Sequence, residues 1–295
     1  MFDPVAFVVD QGLTSDRDLR ADALTGGYLN QVFRLRGKGI DWVVKRFLPE
    51  TELALFPNLP EPEHRAMSLA NRLGLAPKPV AFIEQPDLTV LVYDYVEGEM
   101  WSDGIADVAQ MLKRLRAADP TGFRSVPMTA EGILVEGEAF LPKIAPERRR
   151  RMEAARPKPI SIDAVKPVLL HTDIGPGNII VEQGTGRLVV IDWQCPAAGD
   201  PIQDAIAFLS PGFQILYSRP PLTRQQEADF FAAYDDAAFK ARYDAMLPFY
   251  DWRMAGYCAM RIDKYATHRP AASQRYTQAF EALLQRLGPN NWNGQ

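Results

Sequence analysis

The stretch LLHTDIGPGNIIVEQGTGRLVVIDW, residues 169–193, contains most of the residues that could carry chemistry. Two runs of apolar, mostly β-branched residues, 179–181 and 188–191, flank the polar and glycine-rich segment 183–186. Two short apolar runs around such a segment predict a β-hairpin. The polar residues just outside the two strands then come together at the open end of this hairpin.

Four side chains are expected at that open end. A hairpin centred on Thr185 places Asn178 opposite Asp192, because the two positions are equally far from the turn. Just upstream, a short apolar run delivers His171 and Asp173 into a loop rich in glycine and proline. The sequence therefore predicts that three oxygen-bearing side chains and one imidazole converge on a small volume.

This convergence suits a magnesium ion and a phosphoryl transfer reaction. Mg²⁺ takes carboxylate and amide oxygens together with the phosphate oxygens of a substrate, which suits Asn178 and Asp192. Asp173 comes earlier in the loop and would accept the proton of an attacking hydroxyl. The alternative interpretation is a surface hairpin whose Asp, Asn and Gly residues only form turns.

The order and spacing of these residues resemble a known family. His171-Thr172-Asp173, Asn178 five residues after Asp173, and Ile191-Asp192-Trp193 resemble the catalytic and metal-binding motifs of the aminoglycoside phosphotransferase and choline kinase family. The segments 199–201 and 204–207 resemble that family's next motif. The resemblance implies an α+β, two-lobed protein-kinase-like fold, with an N-terminal antiparallel sheet lobe that includes a helix and a larger, mainly helical C-terminal lobe. It also implies ATP, Mg²⁺ and a small-molecule hydroxyl acceptor.

Composition excludes several other classes of protein. The chain has 295 residues, of which 47% are hydrophobic, enough for a substantial core. With 33 basic and 37 acidic residues, its net charge of −4 does not favour a nucleic-acid partner. Its two cysteines, Cys195 and Cys258, indicate neither a disulfide framework nor a zinc site. No targeting segment and no long apolar run is apparent, so we expect a cytoplasmic protein without a membrane partner.

The N-terminal part resembles a nucleotide-binding lobe. The segment GGYLN, with Gly26, Gly27 and Asn30, resembles the loose glycine loop of the family, although two glycines before a strand often form only a turn. Lys45 lies inside the apolar strand 40–47 and could bind the α- and β-phosphates, or simply point outward from an edge strand. Glu63, in the first turn of a predicted helix, matches the family's lysine partner, and helix-dipole preference is the alternative.

The boundary between the two lobes is predicted after residue 95. Strands are expected at 79–83 and 89–95, after which the composition becomes polar. In the kinase-like fold this connection is the hinge, so the main chains of Asp94, Tyr95 and Val96 would contact adenine. The expected domains are therefore a nucleotide lobe, 1–95, and a catalytic and acceptor-binding lobe, 96–295.

The C-terminal part is predicted to be mainly helical. Helical spacing is clear at 107–118, 146–155 and 273–287. Thr223 begins a capping box, S/T-x-x-E/Q, which predicts a helix start. Asp200 and Asp204 bracket the start of another helix; we interpret both, with His171, as structural support of the catalytic loop.

The acceptor is not determined by these patterns. Aromatic and charged residues alternate between Phe249 and Tyr265. Aromatics with acids could hold a choline-like cation, and acids an aminoglycoside or amino sugar, whereas Arg253 and Arg261 favour a sugar or an anionic acceptor. A catalytically inactive nucleotide-binding regulator is the alternative function. A protein kinase is disfavoured, because Asp192 is followed by Trp193 and not by Phe-Gly.

Overall fold

The computed structural model describes residues 2–24, 30–49 and 55–288 of the chain. Contacts divide the chain into two compact units, of which the first comprises Met1–Trp101 and Asn178–Pro196 and the second Ser102–Gly177 and Ala197–Gln295. The sequence placed the boundary after residue 95 and the hairpin in the second part. The hairpin instead joins the first unit, because its first strand pairs with residues 98–100.

The helices and strands are numbered in chain order. Their bounds are α1 (Pro4–Asp10), β1 (Arg20–Ala23), β2 (Gln31–Gly37), β3 (Ile40–Phe47), α2 (Pro60–Arg72), β4 (Pro79–Gln85), β5 (Leu88–Asp94), β6 (Gly98–Met100), α3 (Ile105–Leu115), α4 (Ala130–Glu138), α5 (Pro146–Ala154), β7 (Val168–Leu170), β8 (Ile179–Glu182), β9 (Leu188–Val190), β10 (Ala197–Gly199), α6 (Ile202–Leu209), α7 (Pro211–Leu216), α8 (Arg224–Tyr234), α9 (Ala237–Tyr265) and α10 (Pro270–Arg286).

The first unit contains an antiparallel sheet with the order β1-β2-β3-β5-β4. Strand β3 is the central strand of this sheet. On one face of the sheet, Val44 of β3 packs with residues of α1 and of the adjacent strands. The core of this face includes Phe7, Val8, Leu35, Val44 and Val92. Helix α2 contacts β4 and β5. Because β3 pairs with a strand on each side, the backbone of Lys45 is fixed within the sheet, and its side chain is buried.

The predicted hairpin forms, but its register differs by one residue from the expectation. Ile179 pairs with Val190, so the position opposite Asn178 is Ile191, whose N–H donates to the Asn178 carbonyl at 2.9 Å. The reason is the length of the connection. The N–H of Glu182 donates to the carbonyl of Arg187, so these two residues are the last that pair, and four residues, 183–186, lie between them. The centre therefore lies between two residues and not on Thr185.

The second unit is mainly helical. Helix α9 extends over 29 residues with Pro248 inside it, and it packs against α10, α4 and α6. The capping box predicted at Thr223 is present and begins α8. The short strands β7 and β10 pair antiparallel, and in the sequence the segment with Asp173 lies between them. No helix in the described ranges has the length and apolarity required to span a bilayer.

These two units confirm the predicted fold class. The first combines an antiparallel sheet with helix α2, and the second is larger and mostly helical. Strand β3 has the predicted bounds, and the helices predicted at 107–118, 146–155 and 273–287 differ from α3, α5 and α10 by a few residues at their ends. The short elements β1, β6 and β10 were not predicted. The partners of β6 and β10 are distant in sequence, and β1 has only four residues, none of them buried.

Candidate active site

Three charged side chains meet in the first unit. The Lys45 Nζ lies 2.8 Å from both carboxylate oxygens of Glu63 and 2.6 Å from Oδ1 of Asp192. Lys45 and Glu63 are buried, whereas the Asp192 side chain is 36% exposed. Strand β3, helix α2 and the end of the hairpin thus place one cation between two carboxylates. Glu61, the other acid at the start of α2, is exposed.

Burial governs the electrostatics of this cluster. Burial raises the pKa of Glu63, and the negative charge of Asp192 raises it further, whereas Lys45 lowers it. Burial alone would lower the pKa of Lys45, but the charges of Asp192 and Glu63 outweigh burial and keep that pKa above its usual value. Lys45 therefore stays a cation. One ammonium and two carboxylates leave no excess of positive charge in the cluster, so a polyanion bound beside it would need a further cation, such as a metal ion.

Asp192 and Asn178 lie at the open end of the hairpin. Asp192 has a φ of 61°, a conformation that is uncommon for a residue other than glycine. The following Trp193 is buried, and its indole N–H donates to the Val190 carbonyl at 2.9 Å, which holds this sharp turn in place. Asn178 is buried at the first position before β8.

The donor chemistry of this end of the hairpin fits Mg²⁺. Asn178 and Asp192 offer an amide and a carboxylate oxygen, and Mg²⁺ commonly uses one or two carboxylates together with substrate phosphates and waters. Within residues 2–24, 30–49 and 55–288, no group of three His, Cys, Asp or Glu side chains could hold a metal ion by itself. A metal here would therefore take its remaining ligands from phosphate oxygens and waters.

The second unit carries the loop with Asp173. This loop follows β7, and its first two residues, His171 and Thr172, donate their N–H groups to the two carboxylate oxygens of Asp204 at 2.8 and 2.9 Å. Thr172 has a φ of 68°, so the chain turns sharply one residue before Asp173. His171 is fully buried. Asp204 thus holds the loop through its main chain.

Asp200 has a different role from Asp204. Its carboxylate accepts hydrogen bonds from the Ile202 N–H at 3.2 Å, at the start of α6, and from the Arg242 Nε at 2.6 Å. Arg242 lies in α9 and also donates to the carbonyls of Asp163 and Met128. Asp200 therefore ties the beginning of α6 to α9. The part played by Arg242 was not apparent from the sequence, since nothing in its surroundings distinguishes it from a surface arginine.

Tyr217 is another residue that the sequence did not reveal. Its ring, at the end of α7, packs directly against the backbone of Gly175 and Gly177 in the loop with Asp173. A Cβ atom added at Gly175 or Gly177 would lie 2.2 or 2.4 Å from ring carbons of Tyr217. Any larger residue at either position would therefore clash with this ring. The contact also supports the loop on the side that faces α7.

The predicted glycine loop is described only at its end. Gly26 and Gly27 lie outside the described residues. Asn30 forms a reciprocal pair of amide hydrogen bonds with Asn58, at 2.9 and 3.0 Å, and its Oδ1 also accepts from the Leu48 N–H at 3.1 Å. Asn30 thus ties the start of β2 to the end of β3.

The main chain of the predicted hinge is already partly engaged. The N–H of Asp94 donates to the Lys78 carbonyl, and the N–H of Tyr95 donates to the Asp41 carbonyl, both at 2.9 Å. Of the three hinge residues, Val96 therefore remains the candidate main-chain donor for an adenine ring. The Tyr95 ring is covered by the Arg34 guanidinium at 3.5 Å.

Comparison with known proteins identifies the family. Residues 20–249 match the model of the phosphotransferase enzyme family. Among curated proteins, none matches the sequence significantly.

Solved structures show a related fold at low sequence identity. A Plasmodium vivax ethanolamine kinase superposes with a TM-score of 0.64 at 14% identity over 93% of this chain and 85% of its own. A spectinomycin phosphotransferase in complex with ADP and spectinomycin has a TM-score of 0.60 at 14% identity over 93% and 91%. An amicoumacin kinase in complex with AMP-PNP and Ca²⁺ has a TM-score of 0.63 at 14% identity over 98% and 96%. The fold is thus that of the small-molecule kinases, and with 230 of its residues matched the chain belongs to the phosphotransferase enzyme family.

Proposed function

We propose that this protein is a small-molecule kinase that transfers the γ-phosphate of ATP to a hydroxyl group. The observation that carries the proposal is the buried Lys45, held between Glu63 and the partly exposed Asp192. A lysine and a glutamate paired in this way beside a metal-binding aspartate form the phosphate-binding part of a phosphoryl transfer site. The structures of related fold that contain ADP or AMP-PNP support a nucleotide as the donor.

Each residue then has a distinct role. Lys45 binds the α- and β-phosphates, and Glu63 positions Lys45. Asn178 and Asp192 hold Mg²⁺, which when bound neutralises charge on the phosphate oxygens. Asp173 accepts the proton of the acceptor hydroxyl. Main-chain groups of the segment that contains Gly26, Gly27 and Asn30 cover the phosphates, and Val96 contacts the adenine; His171, Asp200 and Asp204 support the catalytic loop.

The proton-accepting role of Asp173 is the first one to test. Loss of a general base costs about 10²- to 10⁴-fold in rate. We therefore expect Asp173→Asn to lower kcat for acceptor phosphorylation by about that factor, while the Kd for ATP changes little, because the phosphate-binding residues are intact. The measurement combines a coupled assay of Mg²⁺-dependent ADP formation with calorimetric titration of a non-hydrolysable ATP analogue.

Asp229→Asn provides the matched control, because Asp229 is an exposed aspartate on α8 and the same substitution there should leave both quantities unchanged. Full activity of Asp173→Asn would contradict the role of general base. A wild-type protein that binds ATP but phosphorylates no alcohol or amino sugar in a broad panel would favour the alternative of a catalytically inactive regulator.

A further inference from the structure

A stripe of aromatic and cationic side chains follows one face of α9. Tyr250, Arg253, Tyr257, Arg261 and Tyr265 are spaced by three or four residues, which places them on the same side of the helix. All except Tyr265 are buried, with exposed fractions between 3 and 6%. Two arginines buried among tyrosines are unusual, because arginine is almost never fully buried without a partner.

The two arginines differ in their partners. Arg253 forms an ion pair with Glu136 of α4. Arg261 forms no ion pair with any carboxylate in the described part of the chain. Its guanidinium instead faces the rings of Tyr257 and Tyr265, at 5.0 and 5.7 Å, and hydrogen-bonds to the Tyr257 hydroxyl, while its Nε has no partner there. Arg261 is thus a buried cation whose direct contacts are with neutral tyrosines.

Such an arrangement is unfavourable for the fold alone. Removing a guanidinium from water is costly unless an anion compensates the charge. Cation–π contacts with two tyrosine rings recover only part of that cost. The chain supplies the missing negative charge at Arg253 through Glu136, but not at Arg261. The geometry at Arg261 is therefore that of a site prepared for an external anion.

The charge of the proposed catalytic base acts on the tyrosine that contacts Arg261. Burial raises the pKa of Tyr257 to about 12, Arg261 opposes the rise, and the negative charge of Asp173 adds to it. The Tyr257 hydroxyl therefore lies within electrostatic range of the Asp173 carboxylate, and Arg261 is bonded to that hydroxyl. Arg261 and Asp173 belong to the same unit, so an anion held by Arg261 would share its surroundings with the charge of the residue proposed to remove the proton from the acceptor.

We propose that the acceptor hydroxyl belongs to a small molecule that carries an anionic group, either a carboxylate or a phosphate ester, and that Arg261 binds this group. The proposal rests on the kinase function proposed above and specifies its acceptor. A planar guanidinium with free N–H groups matches both kinds of anion. An acceptor with several ammonium groups would be repelled by the buried charge.

The test compares acceptors in matched pairs that differ by one anionic group. Suitable pairs are glycerol with glycerate and with glycerol 3-phosphate, sorbitol with gluconate, and galactose with galacturonate. The wild-type enzyme should favour the anionic member of at least one pair by about 10- to 100-fold in kcat/KM, the range expected for hydrogen bonds to a charged group. The glycerate and glycerol 3-phosphate arms distinguish a carboxylate from a phosphate ester.

Arg261→Met should remove this preference through KM for the acceptor, with KM for ATP unchanged. Arg224→Met, which removes an exposed arginine of α8, should change neither. Without ligand, Arg261→Met should be at least as stable as the wild type, because an apolar side chain replaces an uncompensated buried charge. A destabilised variant with unchanged acceptor preference would make Arg261 structural and overturn the proposal, as would a loss confined to KM for ATP.

A binding measurement separates this proposal from the kinase function itself. In the presence of ADP and Mg²⁺, the anionic members of the pairs should raise the melting temperature of the wild type and not that of Arg261→Met. This result would support the anion site even if no acceptor were phosphorylated, in which case only the kinase function would fail. Equal or preferential binding and turnover of the neutral members would overturn the anionic acceptor and leave the kinase function intact.

Discussion

Asp204 is a buried carboxylate that holds the backbone of the proposed catalytic loop, the segment with Asp173. It is 3% exposed and accepts one N–H from His171 and one from Thr172. Burial raises its pKa to about 6, although both hydrogen bonds act in the opposite direction. Near neutral pH the loop is therefore held by an ion that the fold keeps at a cost in stability.

This cost predicts a pH dependence with a definite sign. The pKa of Asp204 is higher in the folded protein than its usual value of 3.8, so the unfolded chain loses this proton first and the folded state becomes relatively less stable as the pH rises. By linkage, the contribution of Asp204 to the free energy of unfolding should be about 1–2 kcal/mol smaller at pH 7.5 than at pH 5. Above about pH 7 the effect is complete.

The variant Asp204→Asn isolates this contribution. It keeps the size of the side chain and one acceptor oxygen but does not titrate. Urea unfolding at several pH values should show a variant that is less stable throughout, because one loop N–H loses its acceptor, by a margin that shrinks as the pH rises. A margin that grows with pH would mean that the pKa of Asp204 is lowered in the folded state.

The contact between α7 and the loop with Asp173 can be tested by substitution at Gly177. The Tyr217 ring occupies the space in which a side chain at Gly177 would lie. Gly177→Ala should therefore displace the loop, with a loss of about 1–3 kcal/mol in stability, the usual range for an overpacked site. It should also lower kcat, because the loop carries Asp173.

A second substitution can relieve the clash. In Gly177→Ala combined with Tyr217→Leu, the smaller side chain leaves room for the new methyl group, so stability and kcat should recover in part. Tyr217→Leu alone measures the cost of losing the contact. Additive losses in the double variant, measured by urea unfolding and steady-state kinetics, would show that Gly177 and Tyr217 do not act through this contact.

The elements that the sequence predicted well are those with a strong local pattern. Strand β3 and the hairpin strands follow from apolar runs, and α8 from its capping box. The register of the hairpin was wrong by one residue, because periodicity alone does not show how many residues the turn contains. Strand β6 could not be predicted, since its three residues are all exposed and its pairing partner β8 is 80 residues away.

The same distinction applies to the candidate site. Lys45, Glu63 and Asp192 could be named from local motifs and the family they resemble, and they meet although 147 residues separate Lys45 from Asp192. Arg242, Tyr217 and the uncompensated charge of Arg261 depend on contacts between segments distant in sequence. Motifs thus reveal residues that are grouped in the sequence, whereas features built from contacts between distant segments require the tertiary structure.

The first unit is built from two separate parts of the chain. Residues 178–196 return to a unit formed otherwise by the first 101 residues. They bring Asp192 to Lys45, and the N–H of Val190 donates to the carbonyl of Leu75 at 2.8 Å. Any ligand bound by Lys45 and Asp192 together therefore links segments that are distant in sequence, and its binding energy stabilises the fold.

Bound nucleotide and Mg²⁺ should accordingly raise the stability of the whole protein. A ligand at 100 times its Kd adds about 2.7 kcal/mol to the free energy of unfolding, which for a chain of this size corresponds to a rise of about 5–10 °C in Tm. We expect this rise with ADP and Mg²⁺ together in a differential scanning experiment, and a clearly smaller one after EDTA is added, because the proposed metal would link the phosphates to Asn178 and Asp192.

Asn178→Ala should reduce the metal-dependent part of this rise. The substitution removes the amide oxygen proposed to bind Mg²⁺ but keeps the Asn178 carbonyl that accepts from the Ile191 N–H. Gln183→Ala is the matched control, since it removes an exposed amide from the turn of the same hairpin and likewise leaves a main-chain hydrogen bond, that of the Gln183 N–H with Glu97, in place. If both variants kept the full response to Mg²⁺, the metal would not be bound by Asn178, and Asp192 would act chiefly as the partner of Lys45.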